Sequence, residues 1–201
     1  MEYWKVMMKT WVDAAYAVHH DMKSHTGGVM SFGTEVLNAK SVKQKLNTKS
    51  STEAELVGSS DYIPWTICVK RFMKYQGYDI KSSIFYQDNE SAIKLEENGG
   101  KSCGEKSRHI DIRYFFIKDV LKREDIKIEH CRIDLMIADF FTKPLQGNLF
   151  RKFRNFIMGI TSSLNEERVG NKEKCEASTD EATRVPTKNL TWAEVVRGKK
   201  R

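Results

Sequence analysis

Four acidic residues stand in apolar stretches of the sequence, where a carboxylate loses hydration. Asp13 lies within TWVDAAYAV, Glu55 near the start of a long helical pattern, Asp88 directly after SSIFYQ, and Asp139 within IADFF. A buried carboxylate is costly unless something compensates its charge. If the fold brings the four together, their mutual repulsion must be neutralised as well, and divalent metal ions do both.

A site made entirely of carboxylates favours one kind of chemistry. Mg²⁺ prefers hard carboxylate oxygens to the nitrogen of His or the sulfur of Cys. Two such ions about 3.5–4 Å apart can activate a water and hold the departing oxygen while a phosphodiester is hydrolysed. The four acids therefore indicate a two-metal phosphodiester hydrolase, provided that they meet in the fold.

Each acid also has an ordinary structural explanation. Asp13 could be a solvated residue of an edge strand, and Asp88 could cap the helix that follows it. Asp139 could lie on the exposed surface of a short helix. Glu55 could close a capping box with Thr52, three residues before it. Spacing along the chain leaves both kinds of explanation open.

Hydrophobic periodicity places the acids on alternating strands and helices. The predicted strands are Thr10–Val18, Val29–Gly33, Val36–Val42, Ser82–Gln87 and Ile126–His130. The predicted helices are a long one from about Thr52 to a stop at Gly77, then Asn89–Glu97, Ser107–Arg123 and a short one from Asp134 to Phe141. Pro64 is expected to kink or split the long helix. The order predicts an α/β fold with helices packed on a mixed sheet.

Composition divides the chain into three parts. Residues 1–10 are predicted to be an N-terminal extension and 11–159 one domain, while 160–201, which lack periodic apolar residues, are predicted to be a disordered polar and charged tail. No apolar run is long enough to cross a membrane and no secretory signal is evident, so an intracellular location, in cytoplasm or nucleus, is expected. The net charge of +7 favours a nucleic-acid partner.

Six short strings occur in a fixed order between Trp11 and Gly159: VDAAYA, SHTGG, SSTEAEL, YQDNESAI, SRHIDIRYFFI and IADFFTKPL. Together they resemble the ribonuclease H domain of copia-type retrotransposon Pol polyproteins. The resemblance implies a ribonuclease H-like fold, with a five-stranded mixed sheet flanked by helices. It also implies a nuclease that cuts the RNA strand of RNA–DNA hybrids, in a chain originally fused to a reverse transcriptase or working with one.

The resemblance gives each acid a role. Asp13, Glu55, Asp88 and Asp139 would be the catalytic residues and also the ligands of two Mg²⁺ ions, for which Mn²⁺ could substitute. Glu53 remains an alternative to Glu55 as the ligand on the helix.

Recognition of the hybrid is expected to rest on the shape of its minor groove, on its 2′-hydroxyls and on its phosphates. The basic residues expected to contact it are Lys43, Lys45, Lys49, Arg108, His109 and Lys143. The alternative hypothesis is a catalytically inactive relic of a retroelement that only binds nucleic acid. Cleavage of a labelled hybrid would distinguish the two.

Overall fold

The structure is a computed structural model that describes residues 5–33, 35–98, 108–160 and 164. Its strands are β1 (Lys5–Ala15), β2 (His25–Ser31), β3 (Val36–Lys43), β4 (Asp79–Gln87) and β5 (Ile126–His130). Its helices are α1 (Ser51–Tyr75), α2 (Glu90–Asn98), α3 (Arg108–Glu124) and α4 (Gly147–Ile157). Two short 3-10 helices, Ile133–Leu135 and Ile137–Phe141, lie between β5 and α4.

The five strands form one mixed sheet in the order β3-β2-β1-β4-β5. The β1–β2 and β2–β3 pairs are antiparallel, whereas β4 runs parallel to both β1 and β5. The predicted five-stranded mixed sheet flanked by helices is therefore confirmed. Because β1 is central, with β2 and β4 on either side, the acid near its end faces several elements at once.

The first strand is longer than its sequence suggested. Residues 5–10, which were expected to belong to an extension, form the first half of β1. This half pairs in parallel with β4 from Lys5 opposite Asp79 onwards, and Met8 and Thr10 within it are fully buried. The N-terminal half of β1 is therefore stabilised by pairing with β4, which lies some seventy positions later in the chain. Local periodicity does not reveal such pairing.

Two hydrophobic clusters cover the two faces of the sheet. The first includes Met8, Val12 and Phe85 of the sheet together with residues of α1 and α3, such as Ile63 and Ile117. The second joins the opposite face to the 3-10 region and α4; its members include Trp11, Val29, Met136, Ile137, Phe153 and Phe156. Both clusters flank the carboxyl end of β1 and hold it from the two sides.

Helix α1 begins earlier than expected and is not split. Its N-cap is Ser50, whose side chain accepts a hydrogen bond from the Glu53 backbone N–H. The helix continues through Pro64, which is exposed. Of the predicted core positions, Leu56 and Ile63 are buried, whereas Phe72 is 60% exposed.

The region after β5 differs most from its prediction. The expected short helix from Asp134 to Phe141 is replaced by the two 3-10 helices, and Asp134 lies inside the first, paired with Arg132. Helix α4 was not predicted, although Leu149, Phe153 and Phe156 follow helical spacing. Its Phe153 and Phe156 complete the second cluster.

The predicted tail, residues 160–201, lies outside the described part of the chain except for Ile160 and Leu164. In the part that is described, no helix has the length and apolarity needed to cross a membrane.

Candidate functional site

Asp13 lies on β1 two residues before the strand ends and is 2% exposed. Its partner on β2 is Gly27. The Thr142 hydroxyl donates a hydrogen bond to Asp13 Oδ2, and Lys143 Nζ lies 3.4 Å from Asp13 Oδ1. Asp13 is thus a buried acid of a central strand, and the edge-strand explanation is wrong.

The start of α1 separates the roles of its two glutamates. Ser50 Oγ accepts from the Glu53 N–H at 3.1 Å, and Glu53 Oε2 accepts from the Lys49 N–H at 2.7 Å. The cap therefore uses Ser50 and Glu53, and the predicted capping box of Thr52 with Glu55 is wrong. Glu55 is 5% exposed, and its Oε1 accepts from the Ala14 N–H at 3.2 Å.

Three of the predicted acids meet. Asp13, Glu55 and Asp88 each offer a carboxylate oxygen, and these atoms all lie within 4.8 Å of one another, close enough to share a metal ion. Asp88 follows the last residue of β4 and is half-buried, while Asn89, next to it, caps α2 by accepting from the Ser91 and Ala92 N–H groups. We refer to these three residues as the three-carboxylate group.

Asp139 approaches the group from a different element. It lies in the second 3-10 helix, is 2% exposed, and is linked to Asp13 through Lys143. Lys143 Nζ lies 2.8 Å from Asp139 Oδ1 as well as 3.4 Å from Asp13 Oδ1. We refer to residues 137–143 as the Asp139 segment. This segment brings the fourth acid and an ammonium group to the same place.

Gly27 makes the approach of this segment possible. A Cβ at Gly27 would lie 2.7 Å from the Ala138 carbonyl oxygen, 2.7 Å from Thr142 Cγ2 and 3.0 Å from Phe141 Cβ. The Asp139 segment therefore packs directly on the backbone of β2, opposite Asp13. The sequence signal was the Gly pair in SHTGG, whose meaning as a close approach was missed.

Three carboxyls of the site, those of Glu55, Asp88 and Asp139, have raised pKa values because each loses hydration and lies close to other acids. Burial, followed by the charges of Asp13 and Asp88, raises the pKa of Glu55 well above its ordinary value. Burial and then the charge of Asp13 raise the pKa of Asp88. Burial raises the pKa of Asp139 to about 6, where Asp13 adds to the shift and Lys143 opposes it. A further cation would relieve this repulsion.

The neighbouring acids also change the pKa of Lys143. Burial disfavours its charge, but hydrogen bonding to Asp139 and the charges of Asp13 and Asp88 outweigh this, so the pKa of Lys143 is raised. Its side chain is 42% exposed. Lys143, which was predicted to bind phosphate, therefore lies among the acids, and part of its side chain is exposed to solvent.

Three of the other basic residues predicted to bind nucleic acid are exposed lysines. Lys43 pairs with Asp21 at 2.8 Å, and Lys45 and Lys49 are exposed. Arg108 and His109 begin α3, and their side chains are outside the described part of the structure. Their role in binding nucleic acid stays a prediction.

Comparison with curated proteins identifies relatives of the chain. Over 152 residues it is 30% identical to the retrovirus-related Pol polyprotein from transposon TNT 1-94 of Nicotiana tabacum, a match that covers 75% of this chain and 11% of that protein. It is also 30% identical over 145 residues to the Pol polyprotein from transposon RE1 of Arabidopsis thaliana, covering 70% and 10%. The chain is homologous to retrotransposon Pol polyproteins. This confirms the predicted relation to retrotransposon Pol polyproteins, and the chain spans about a tenth of the length of these relatives.

A more distant Pol homologue is the Ty1-DR5 Gag-Pol polyprotein of Saccharomyces cerevisiae, 27% identical over 148 residues, covering 71% of this chain and 8% of that protein. A scan against models of protein families gave no match.

Among solved structures, the chain resembles ribonuclease H1 from Halobacterium salinarum, with a TM-score of 0.47 and 10% identity over 63% of this chain and 86% of that one. It also resembles the N-terminal ribonuclease H domain of a Mycobacterium tuberculosis protein, with a TM-score of 0.48 and 12% identity over 69% and 91%. The predicted α/β fold class, a five-stranded mixed sheet flanked by helices, is the one that the structure has.

Proposed function

We propose that this Pol homologue is a metal-dependent ribonuclease that cuts the RNA strand of RNA–DNA hybrids. The observation that carries the proposal is the convergence of three carboxylates, two buried and one half-buried, from separate elements: β1 supplies Asp13, α1 supplies Glu55, and the end of β4 supplies Asp88. A fold that only needed structural acids would not gather them against their mutual repulsion, because each loses hydration and gains a like-charged neighbour.

The donor set fits divalent metal ions of the Mg²⁺ type. All its ligand atoms are hard carboxylate oxygens, and they lie close enough together to share an ion. Asp13, Glu55 and Asp88 would hold one ion, and Asp139 would join them in holding a second. When bound, two divalent ions supply an activated water and charge stabilisation at the departing oxygen. Mn²⁺, which also takes carboxylate oxygens, is expected to substitute.

The chain's own residues prepare this site. The Ala14 N–H fixes one oxygen of Glu55, and the Thr142 hydroxyl fixes one oxygen of Asp13. Lys143 bridges Asp13 and Asp139 and offsets part of their charge, while its exposed part can contact a phosphate of the substrate. The residues thus hold the acids in fixed orientations before the substrate arrives.

The relatives and the charge of the chain support the proposed substrate class. The relatives are Pol polyproteins, and the net charge of +7 suits a phosphate backbone. We propose a hybrid substrate distinguished by the 2′-hydroxyls of its RNA strand, with Lys43, Lys45, Lys49, Arg108 and His109 as further contacts. In this role the domain would work with a reverse transcriptase, which produces such hybrids.

The test is cleavage of a hybrid labelled on its RNA strand, in Mg²⁺ or Mn²⁺, by the wild type and by Asp88→Asn. The variant is expected to lose roughly 1,000-fold in rate, because metal-ion catalysis contributes several kcal/mol and each 1.4 kcal/mol is a factor of ten. Asp119→Asn is the matched control, since Asp119 is an exposed acid of α3 paired with Arg123.

Metal-dependent cleavage that Asp88→Asn abolishes and Asp119→Asn retains would support the proposal. Binding of the hybrid without cleavage by the wild type, with either metal, would instead identify an inactive relic that only binds nucleic acid.

A further inference from the structure

Two fully buried polar residues lie behind Glu55 and have no part in the proposed catalysis. Gln87 is the last residue of β4, and Glu96 lies on α2; both are 0% exposed. Gln87 lies on the α1 side of the sheet, whereas its neighbour Tyr86 stacks on Trp11 on the opposite side. A buried carboxyl and a buried amide side by side require an explanation, because each must find hydrogen-bond partners.

The amide of Gln87 lies between two carboxyl groups. One end is 3.4 Å from Glu55 Oε2. The other end is 2.9 Å from Glu96 Oε2 and 3.3 Å from Glu96 Oε1. Glu55, Gln87 and Glu96 thus form a chain that runs from the three-carboxylate group into the interior.

The chemistry of an amide restricts how this chain can be arranged. The amide has a donor end, its NH₂, and an acceptor end, its carbonyl oxygen, which heavy-atom positions alone do not distinguish. If Glu55 is ionised to bind a cation, the end facing it must donate. The carbonyl end then faces Glu96, and two acceptor oxygens 2.9 Å apart require a proton between them. In this arrangement Glu96 is the neutral acid and donates its O–H to Gln87.

We propose that Gln87 and Glu96 are positioning residues for Glu55: neutral Glu96 donates to the Gln87 carbonyl, and the Gln87 NH₂ donates to the Glu55 carboxylate. The inference rests on the proposed metal site and adds the residues that orient one of its ligands. Partners of this kind commonly change metal affinity 10- to 100-fold without touching the metal.

The environment of Glu96 supports the neutral form. Burial raises the pKa of Glu96 to about 8; the nearby Ser59 hydroxyl opposes the shift, and the adjacent acid Glu97 adds to it. At neutral pH the proton needed between Glu96 and Gln87 is therefore present. Ser59 Oγ makes no hydrogen bond of good geometry, whereas the Gln87 amide lies 2.9 Å from Glu96 Oε2 and is in position to accept the proton of Glu96.

The experiment measures binding of Mn²⁺ alone to the full chain at pH 7 for the wild type, Gln87→Leu, Glu96→Leu and Glu96→Gln. We refer to the hydrogen bonds from Glu96 to Gln87 and from Gln87 to Glu55 as the relay. Both Leu variants keep a side chain of similar volume but remove the relay, so we expect the Kd for Mn²⁺ to rise about tenfold or more. Glu96→Gln can still donate to Gln87 through its amide, and its Kd is expected to stay within about twofold of the wild type, well inside that tenfold range. Glu97→Leu, the same change at the exposed neighbouring position, is the matched control.

A second measurement needs no variant. In the wild type, the side-chain ¹⁵N–¹H signals of Gln87 should shift when Mg²⁺ is added, because the NH₂ contacts a metal ligand. Unchanged signals at saturating Mg²⁺ would overturn the proposal, even if the Leu variants fail to fold.

The outcomes separate this inference from the proposed function. Tenfold weaker binding in folded Gln87→Leu and Glu96→Leu, with Glu96→Gln and Glu97→Leu close to the wild type, supports the relay. Wild-type affinity in both folded Leu variants overturns the relay alone. A wild type that binds no Mn²⁺ overturns the metal site, and the relay with it.

Discussion

The two halves of the acid site are assembled in different ways. The three-carboxylate group stands on regular elements: β1 and β4 pair with each other, and the Ala14 N–H of β1 donates to Glu55 of α1. The Asp139 segment is a single 3-10 helix that reaches the site from the far side of the sheet. Its place depends on a missing side chain at Gly27 and on the side-chain contacts of Thr142 and Lys143.

The difference concerns how each half can fail. Positions set by a hydrogen-bonded ladder shift only when the register shifts, which would move every residue of the strand. A short segment held by close contacts can move by an ångström while the rest of the fold stays intact. We therefore expect the Asp139 segment to be the more easily displaced half of the site.

Among changes that leave all four acids in place, the largest effect is expected from Gly27→Ala. The new Cβ would meet the Ala138 carbonyl oxygen at 2.7 Å, so the Asp139 segment must move away from β2. A displacement of about 1 Å at a catalytic group can cost about 100-fold in rate, and the overpacking should cost about 1–3 kcal/mol of stability. Hybrid cleavage and chemical denaturation measure the two effects.

Binding of Mn²⁺ tests whether this damage is confined to one half. The three-carboxylate group does not include residues of the Asp139 segment, so one metal ion should still bind to Gly27→Ala. Cleavage at the wild-type rate by a folded Gly27→Ala protein would show that the close approach has no functional importance.

An intermediate effect is expected from the pH dependence of stability without metal. The folded pKa of Asp139, about 6, lies above its ordinary value of 3.8. The folded state therefore binds more protons than the unfolded state in this window, and the contribution of Asp139 to the free energy of unfolding falls as the pH rises from about 4 to about 6. The Asp139→Asn variant has no carboxyl at this position, so its free energy of unfolding should not show this decrease with rising pH.

Denaturation in EDTA at pH 4 and pH 7 measures the effect. On going from pH 4 to pH 7, the free energy of unfolding of Asp139→Asn should rise by about 1 kcal/mol relative to that of the wild type. This value allows for screening of the charge by solvent at the edge of the site. A difference between the two proteins that does not change with pH would mean that Asp139 carries no unfavourable charge in the folded state.

The smallest effect is expected from Glu53→Gln, which sharpens the distinction between the two glutamates of α1. Glu53 accepts from the Lys49 N–H in the helix cap, so the variant should lose about 0.5–1 kcal/mol of stability and keep its affinity for Mn²⁺. Glu55→Gln is the matched variant two positions later and should bind Mn²⁺ far more weakly. Equal weakening in both variants would contradict the assignment of Glu55 as the ligand.

Much of the fold could be predicted from local patterns. The strand Ile126–His130 was predicted with its observed bounds, and the stop at Gly77 agrees with its positive φ of 85°. Helix α4 was missed although its apolar spacing is regular, and the Asp134–Phe141 region was predicted as one helix instead of two 3-10 helices. Periodicity predicts the type of a long element, whereas short irregular segments take their shape from what they pack against.

The site could be predicted only in part. The four acids were found because their apolar neighbours and their motifs are visible in the sequence, but their separation into three and one was not. Gln87 and Glu96 were missed, since neither stands out until the fold places them behind Glu55.

The sequence by itself determined most of the strands and long helices, the relation to Pol polyproteins and which acids stand in apolar stretches, because these depend on neighbours along the chain. The tertiary structure placed Glu55 in the three-carboxylate group and Glu53 in the helix cap, placed Lys143 among the carboxylates and brought the Asp139 segment against Gly27. These outcomes depend on distances between residues far apart in sequence, and such distances are fixed only when strand register and core packing bring the elements together.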